Sequence, residues 1–182
     1  MELKELERRV DFTSLPGDWR LANVSVDWSG EPVLLFERGR PKFPAGGTYE
    51  AHAAWFNTPP KSHHLLYWAG SQFSEVTFVN KRGRIVISHA QPFDEGWLLA
   101  YGRGGAAEIY DKSGSHVLRT LDLGDASEEI QTTPDGRIWV SYFDEGVYGN
   151  GIGSEGLVCF DSNTVIRSSS MQLLPLVLIF LI

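Results

Sequence analysis

The stretch Thr133-Pro134-Asp135-Gly136-Arg137-Ile138-Trp139-Val140-Ser141-Tyr142 decides the fold of this 182-residue chain. A polar turn containing a glycine precedes a run in which apolar and polar side chains alternate. Glycine takes the positive φ that a tight hairpin turn needs, and alternation is typical of a half-buried strand. The run Glu129-Ile130-Gln131-Thr132 leads into the turn. The stretch therefore predicts a β-hairpin at Gly136.

Two earlier segments, residues 27–36 and 79–87, align with this hairpin on a turn glycine. The glycines are Gly30, Gly83 and Gly136, so both intervals are 53 residues (83 − 30 and 136 − 83). A repeat of about 50 residues that holds four antiparallel strands is typical of a propeller blade. The sequence thus predicts an all-β fold, a partial β-propeller of about three four-stranded antiparallel blades. A β-sandwich is the alternative interpretation.

The third repeat carries a family resemblance. The segment Asp135-Gly136-Arg137-Ile138-Trp139 resembles the Asp-Gly-x-Ile-Trp strand pair of bacterial propellers, as in streptogramin-lyase-like propellers and the sensor propellers of bacterial receptors. Gly156-Leu157-Val158-Cys159-Phe160-Asp161 resembles the next strand of those blades. The resemblance covers residues of about 20 to 167 and implies a blade architecture. The His and the Trp-Asp dipeptide of WD-repeat blades are not found, so the chain is at most WD40-like in architecture.

The pattern divides the chain into three parts. Residues 1–19 form an N-terminal segment with a short expected helix, residues 20–167 hold the blades, and residues 168–182 are an apolar C-terminal tail outside the fold. Propellers close with about four to eight blades, and four blades of 53 residues would exceed this length. We therefore expect a fragment of a longer protein. A truncated, non-functional gene product is the alternative.

Charge and composition exclude some functions. The net charge is −7, from 16 basic and 23 acidic side chains, and no Lys/Arg cluster stands out. Nucleic-acid binders draw most of their affinity from basic contacts to phosphate, so we expect no nucleic-acid partner. The single cysteine, Cys159, allows no internal disulfide and is expected to be a small buried side chain. The first ten residues lack the apolar region of a secretory signal, and the tail is shorter than the roughly 20 apolar residues of a membrane span. We therefore expect a cytoplasmic protein that does not bind membranes.

Paired carboxylates are the candidate ligand-binding residues. Asp94-Glu95 and Asp144-Glu145 both follow a phenylalanine and precede a glycine, in tetrapeptides that align with Phe36-Glu37-Arg38-Gly39. At equivalent repeat positions they would ring one propeller face and could bind a cation or a basic ligand. The alternative interpretation is that they are loop residues retained for the blade structure. We predict no catalytic residue, no metal site and no cofactor.

Three functions stay open on the sequence. The favoured one is a non-catalytic propeller scaffold that binds a protein or a small ligand on its loop face, since loops on a rigid scaffold carry binding. The alternative is a metal-dependent lyase-like propeller enzyme that uses His89 with Asp94 and Glu95. Neighbouring His63 and His64 would point to opposite faces of a strand and could not readily share a metal. The chain could also have no function. Exposed blade edges predict self-association.

Overall fold

The described part of the chain forms three antiparallel sheets of four strands each. The computed structural model describes residues 18–69, 72–79, 87–94, 96–101, 104–161 and 165–166. Each sheet is a meander in which consecutive strands pair. The first sheet holds β1 (Trp19–Val26), β2 (Pro32–Arg38), β3 (Ser62–Ala69) and β4 (Gln72–Val79); the second β5 (Ile87–Phe93), β6 (Gly96–Tyr101), β7 (Ala106–Asp111) and β8 (Val117–Asp122); the third β9 (Ser127–Thr132), β10 (Ile138–Tyr142), β11 (Leu157–Phe160) and β12 (Val165–Ile166). The predicted all-β class is confirmed, and the sheets are consistent with part of a β-propeller.

The hairpin turns predicted at Gly30 and Gly136 are confirmed and share one geometry. In the first, the Asp27 amide bonds the Glu31 carbonyl and the Gly30 amide bonds the Asp27 carbonyl. Residues 133–137 make the same two bonds at the same spacing. Both glycines have the positive φ this turn requires, 85° and 80°. The two segments are therefore structural equivalents in the first and third sheets.

The alignment on Gly83 is wrong. Gly83 itself lies outside the described residues, but it falls between β4 and β5, the last strand of one sheet and the first of the next. The run that ends at Val79 closes the first sheet and does not open the second. The first hairpin of the second sheet turns instead at Asp94, which holds φ at 53°. Aspartate tolerates this left-handed conformation, so the hairpin needs no glycine there.

The middle sheet is covered on both faces. Along β6, Trp97 and Leu99 point into a core shared with the first sheet, and Leu98 and Ala100 point into a core shared with the third. All four are 5% exposed or less, and a large apolar side chain buried in this way stabilises by about 1.5–3 kcal/mol. This explains why β6 is an unbroken apolar run. By contrast, β1 exposes three apolar side chains: Leu21, Val24 and Val26.

The first strands of the three sheets lie side by side, β1 against β5 and β5 against β9. The Ser25 hydroxyl donates to the Ala90 carbonyl at 3.2 Å, and the Gln91 amide donates to the Val26 carbonyl at 3.2 Å. The Thr132 hydroxyl donates to the Pro92 carbonyl at 2.6 Å. The carboxyl ends of these strands thus meet, so the three strands run in the same direction.

This common direction gives the molecule two distinct ends. The β1–β2, β5–β6 and β9–β10 hairpins lie at one end, which we call the hairpin face. The β2–β3, β6–β7 and β10–β11 connections lie at the other, which we call the loop face. The longest connection on the loop face is residues 39–61, which contains helix α1 (Tyr49–Phe56). Residues 143–156 hold a short helical turn, α2 (Asp144–Val147), and a 3₁₀ turn (Ile152–Glu155).

Cys159 is 3% exposed, as predicted. The N-terminal helix expected within residues 1–19 lies outside the described residues as far as residue 17, and so does the tail from residue 167 onward. No helix within the described part of the chain is long and apolar enough to cross a membrane.

Candidate functional site

A row of polar side chains crosses the first sheet at its loop-face end. Cross-strand pairing sets Arg20 of β1 opposite Glu37 of β2, and Glu37 opposite His63 of β3. Paired residues share a face of the sheet, and Leu35 and Leu65 on this face belong to the core shared with the second sheet. The row therefore lies at the loop-face end of an inter-sheet core.

Two arginines hold the buried carboxylate of Glu37, which is 3% exposed. The Arg20 guanidinium pairs with Oε1, and Arg40 Nη1 lies 3.5 Å from Oε2. Burial lowers the pKa of Arg40, whose side chain is 4% exposed, while the Glu37 carboxylate opposes that shift. Arg20 is more open, with 39% of its side chain exposed. The carboxylate thus joins one buried cation to one that water can reach.

Helix α1 covers this cluster through Trp55. Arg40 donates from Nη2 to the Trp55 carbonyl at 3.1 Å, and its guanidinium lies 3.5 Å from the centre of the Trp55 ring. The Arg20 guanidinium lies 4.9 Å from the same ring. Cations are attracted both to the carbonyls at a helix C-terminus and to the face of an indole. The helix is therefore fixed to the sheet by charge and ring contacts.

The loop before α1 holds the helix in place. The Trp55 indole nitrogen donates to the Pro41 carbonyl at 2.7 Å. His52 stacks on Phe43 at 4.9 Å between ring centres, and Thr48 caps the helix by accepting from the Ala51 amide. These local contacts hold residues 41–56 in a compact, ordered arrangement.

His63 is the unusual member of the row. It is 0% exposed, and neither of its ring nitrogens has a hydrogen-bond partner among the described residues. Burial, and next the positive charge of Arg40, lower the pKa of His63 to about 4. The imidazole is therefore neutral at pH 7 and presents one N–H donor and one acceptor nitrogen. Buried polar atoms of this kind normally have a partner in proteins.

The facing strands of the second sheet carry a second buried carboxylate. Glu108 is 2% exposed and accepts hydrogen bonds from the hydroxyls of Tyr101 and, at 2.9 Å, Tyr110. Burial, and then the bond to Glu108, raise the pKa of Tyr101. Both tyrosines pack against the core shared with the first sheet. The two facing sheets thus both place ionisable groups in their common interface.

The sequence-predicted carboxylates do not form one ring. Asp94 is exposed in the β5–β6 turn on the hairpin face, whereas Asp144 and Glu145 are exposed in α2 on the loop face. Glu95 lies outside the described residues. The predicted equivalence of the two pairs is therefore wrong, because the aligned tetrapeptides follow different strands of their sheets. Ligand binding by any of these carboxylates stays a prediction.

His89 lies in β5, between the first strands of two sheets. Its Nδ1 is 2.9 Å from the Ser88 hydroxyl, and its Nε2 is 3.7 Å from a Glu129 carboxylate oxygen. Burial lowers the pKa of His89, and the Glu129 charge opposes this. His64 faces away from His63 as predicted, with Nδ1 3.0 Å from the Thr77 hydroxyl. Within the described ranges, no group of three or more His, Cys, Asp or Glu side chains could hold a metal ion.

No family model and no curated protein matches the chain. A solved structure, that of a protein of unknown function from Bacteroides caccae, matches 84% of this chain at 12% identity with a TM-score of 0.48. The chain spans 47% of that protein's length. At this level of similarity the match does not bear on function.

Proposed function

We propose that this chain is a non-catalytic scaffold of β-propeller type that binds a ligand on its loop face. The observation that carries the proposal is the polar row of Arg20, Glu37 and His63 at the loop-face end of the first sheet. Both ring nitrogens of His63 lack a partner among the described residues, at the base of the longest connection of the loop face. An unsatisfied buried nitrogen costs about 1–3 kcal/mol, and a ligand that bonded it would recover that cost.

Exposed aromatic side chains on the same face support the proposal. Tyr49 begins α1 and is 82% exposed, and Tyr148 in the β10–β11 connection is 85% exposed. Phe43 and Phe143 are also partly exposed on these two connections. Aromatic side chains are enriched where proteins contact partners, since they offer a large contact area at a low entropy cost.

We further propose that other blades complete the scaffold. Propellers typically close with about four to eight blades, and the described residues form three sheets. On the face turned away from the second sheet, β1 exposes Leu21, Val24 and Val26, at 46%, 58% and 40%. A further blade of a longer protein would cover such a face in the way that the first sheet covers the second.

A ligand screen followed by NMR mapping tests the binding proposal. The labelled chain is screened against small metabolites and short peptides, and the perturbed amides are mapped. We expect perturbations in residues 37–63 and 143–156. Ligands that perturb only the hairpin face, at residues 27–31 and 133–137, would contradict the proposal, and so would a screen without any binder.

A further inference from the structure

We propose that the ligand of the loop face is a small oxyanion, bound between the Arg20 guanidinium and the His63 imidazole. The inference rests on the proposed function and names the chemistry of its ligand. Carboxylates and phosphates share this chemistry, since both present oxygens to N–H donors.

The charges of the row favour an anion over a cation. Arg20 and Arg40 each carry a positive charge, Glu37 carries a negative charge, and His63 is neutral at pH 7. The four side chains together are therefore positive by one charge. Both Glu37 oxygens already face a guanidinium, so the carboxylate is compensated and repels an incoming anion weakly. A metal ion or an ammonium group would meet two guanidiniums instead.

The unused donors also favour an oxyanion. Arg20 bonds Glu37 through Nη2, which leaves other N–H groups of its planar fork for a second acceptor. Its side chain is 39% exposed, so a ligand can reach it from solvent. His63 stands on the far side of Glu37 and adds one N–H donor from the buried end. A ligand that bridges both would satisfy one orphaned nitrogen of His63.

The strand spacing allows such a bridge. Arg20 and His63 are separated by one strand, so their backbones lie roughly 10 Å apart at about 4.8 Å per strand. Both side chains rise from the same face, and the guanidinium already leans over Glu37 toward β2. Glu37 lies between them, so a bridging ligand has to lie over the Glu37 carboxylate, within reach of both side chains.

Titration with inorganic phosphate and with acetate tests the inference, using the full chain at constant ionic strength set with sodium chloride. The readouts are the side-chain nitrogen signals of His63 and the amides of residues 37–41. We expect saturable changes at both in the wild type. Arg20→Gln is expected to weaken binding about tenfold or more, because it removes a charged hydrogen-bond donor. Arg20→Lys keeps the charge but not the planar guanidinium, and its affinity is expected to lie between those of the wild type and Arg20→Gln.

Arg38→Gln is the matched control, because Arg38 lies on the same strand as Glu37 but on the opposite face, where it pairs with Asp18. It should bind like the wild type. A preference for phosphate or for acetate identifies the source of the oxyanion. Equal responses in Arg20→Gln and Arg38→Gln, or no change at His63, would overturn the inference. If neither anion binds but a neutral library ligand perturbs residues 37–63, the ligand class is wrong and the proposed function stands; if nothing binds, both fail.

Discussion

Acid should destabilise this protein through His63, and replacing that residue should remove the effect. In the unfolded chain the imidazole takes up a proton near its ordinary pKa of 6.5, whereas in the folded chain burial beside Arg40 delays this to about 4. The unfolded state therefore binds more protons between these two values. Because of this, the stability that depends on the neutral imidazole is complete above pH 6.5 and is lost as the pH falls toward 4.

The size of the loss follows from the two pKa values. Each unit of difference corresponds to about 1.4 kcal/mol, so the linkage relation gives a loss of about 2.5 kcal/mol between about pH 7.5 and about pH 4.5. This is a large share of the about 5–15 kcal/mol by which domains are normally stable. His63→Phe fills a similar volume and binds no proton. Its packing cost is the same at every pH, so only the pH dependence of the difference matters.

Urea denaturation of the wild type and His63→Phe across this pH range measures the effect. The stability of the wild type relative to the variant should fall by about 2.5 kcal/mol from the upper to the lower pH. His63→Leu repeats the test should the phenylalanine fit poorly. His116→Gln is the control, since the His116 side chain is 79% exposed. Parallel pH profiles for the wild type and both His63 variants would refute the placement of a neutral, buried imidazole.

Three further substitutions test the packing around this site and between the sheets by urea denaturation. Glu37→Ala leaves two guanidiniums without their shared carboxylate and should lower the free energy of unfolding by about 3 kcal/mol. Its control, Asp18→Ala, removes one partner of an exposed pair and should lower it by less than about 0.5 kcal/mol. Equal losses would contradict the buried cluster. In Gly96→Ala the new Cβ would lie 1.9 Å from the Tyr110 carbonyl oxygen, so we expect the free energy of unfolding to fall by about 2–3 kcal/mol. The control, Gly151→Ala, places a Cβ with no atom within 4 Å and should change it very little. Thr132→Val removes the hydroxyl that bonds the Pro92 carbonyl between first strands and should cost about 1 kcal/mol; an unchanged midpoint would argue against that contact.

Local signals predicted the elements of the fold. The turn glycines Gly30 and Gly136 were sufficient to predict two hairpins, because glycine has no Cβ and adopts a positive φ readily. The apolar run of β6 is buried on both faces, between two sheets. Adjacent His63 and His64 do point apart, since side chains alternate along a strand.

Register across the sequence was harder to predict. Gly83 matched the repeat interval by coincidence, and nothing local distinguishes a hairpin turn from a link between sheets. The turn of this hairpin holds Asp94 with a positive φ where the other two hairpins have glycine, so an alignment on glycines missed it. The error then placed the carboxylate pairs at equivalent positions. A loop of 39–61 inserted between β2 and β3 also breaks the even repeat length of the first sheet.

The candidate site could not be predicted because its members are joined by pairing. Arg20, Glu37 and His63 are distant in the chain and meet only through the register of three strands. One signal was available, namely Glu37 at the end of the apolar run Val33-Leu34-Leu35-Phe36, followed by Arg40. A charged residue that continues a buried strand needs partners. Identifying those partners required the β2–β3 pairing.

A crystal structure of the chain grown with inorganic phosphate tests the central claim most directly. We expect α1 to lie on the first sheet and a phosphate to bind with its oxygens within hydrogen-bond distance of the Arg20 guanidinium and a ring nitrogen of His63. A structure in which both His63 nitrogens bond protein groups, with phosphate on neither residue, would contradict the loop-face site.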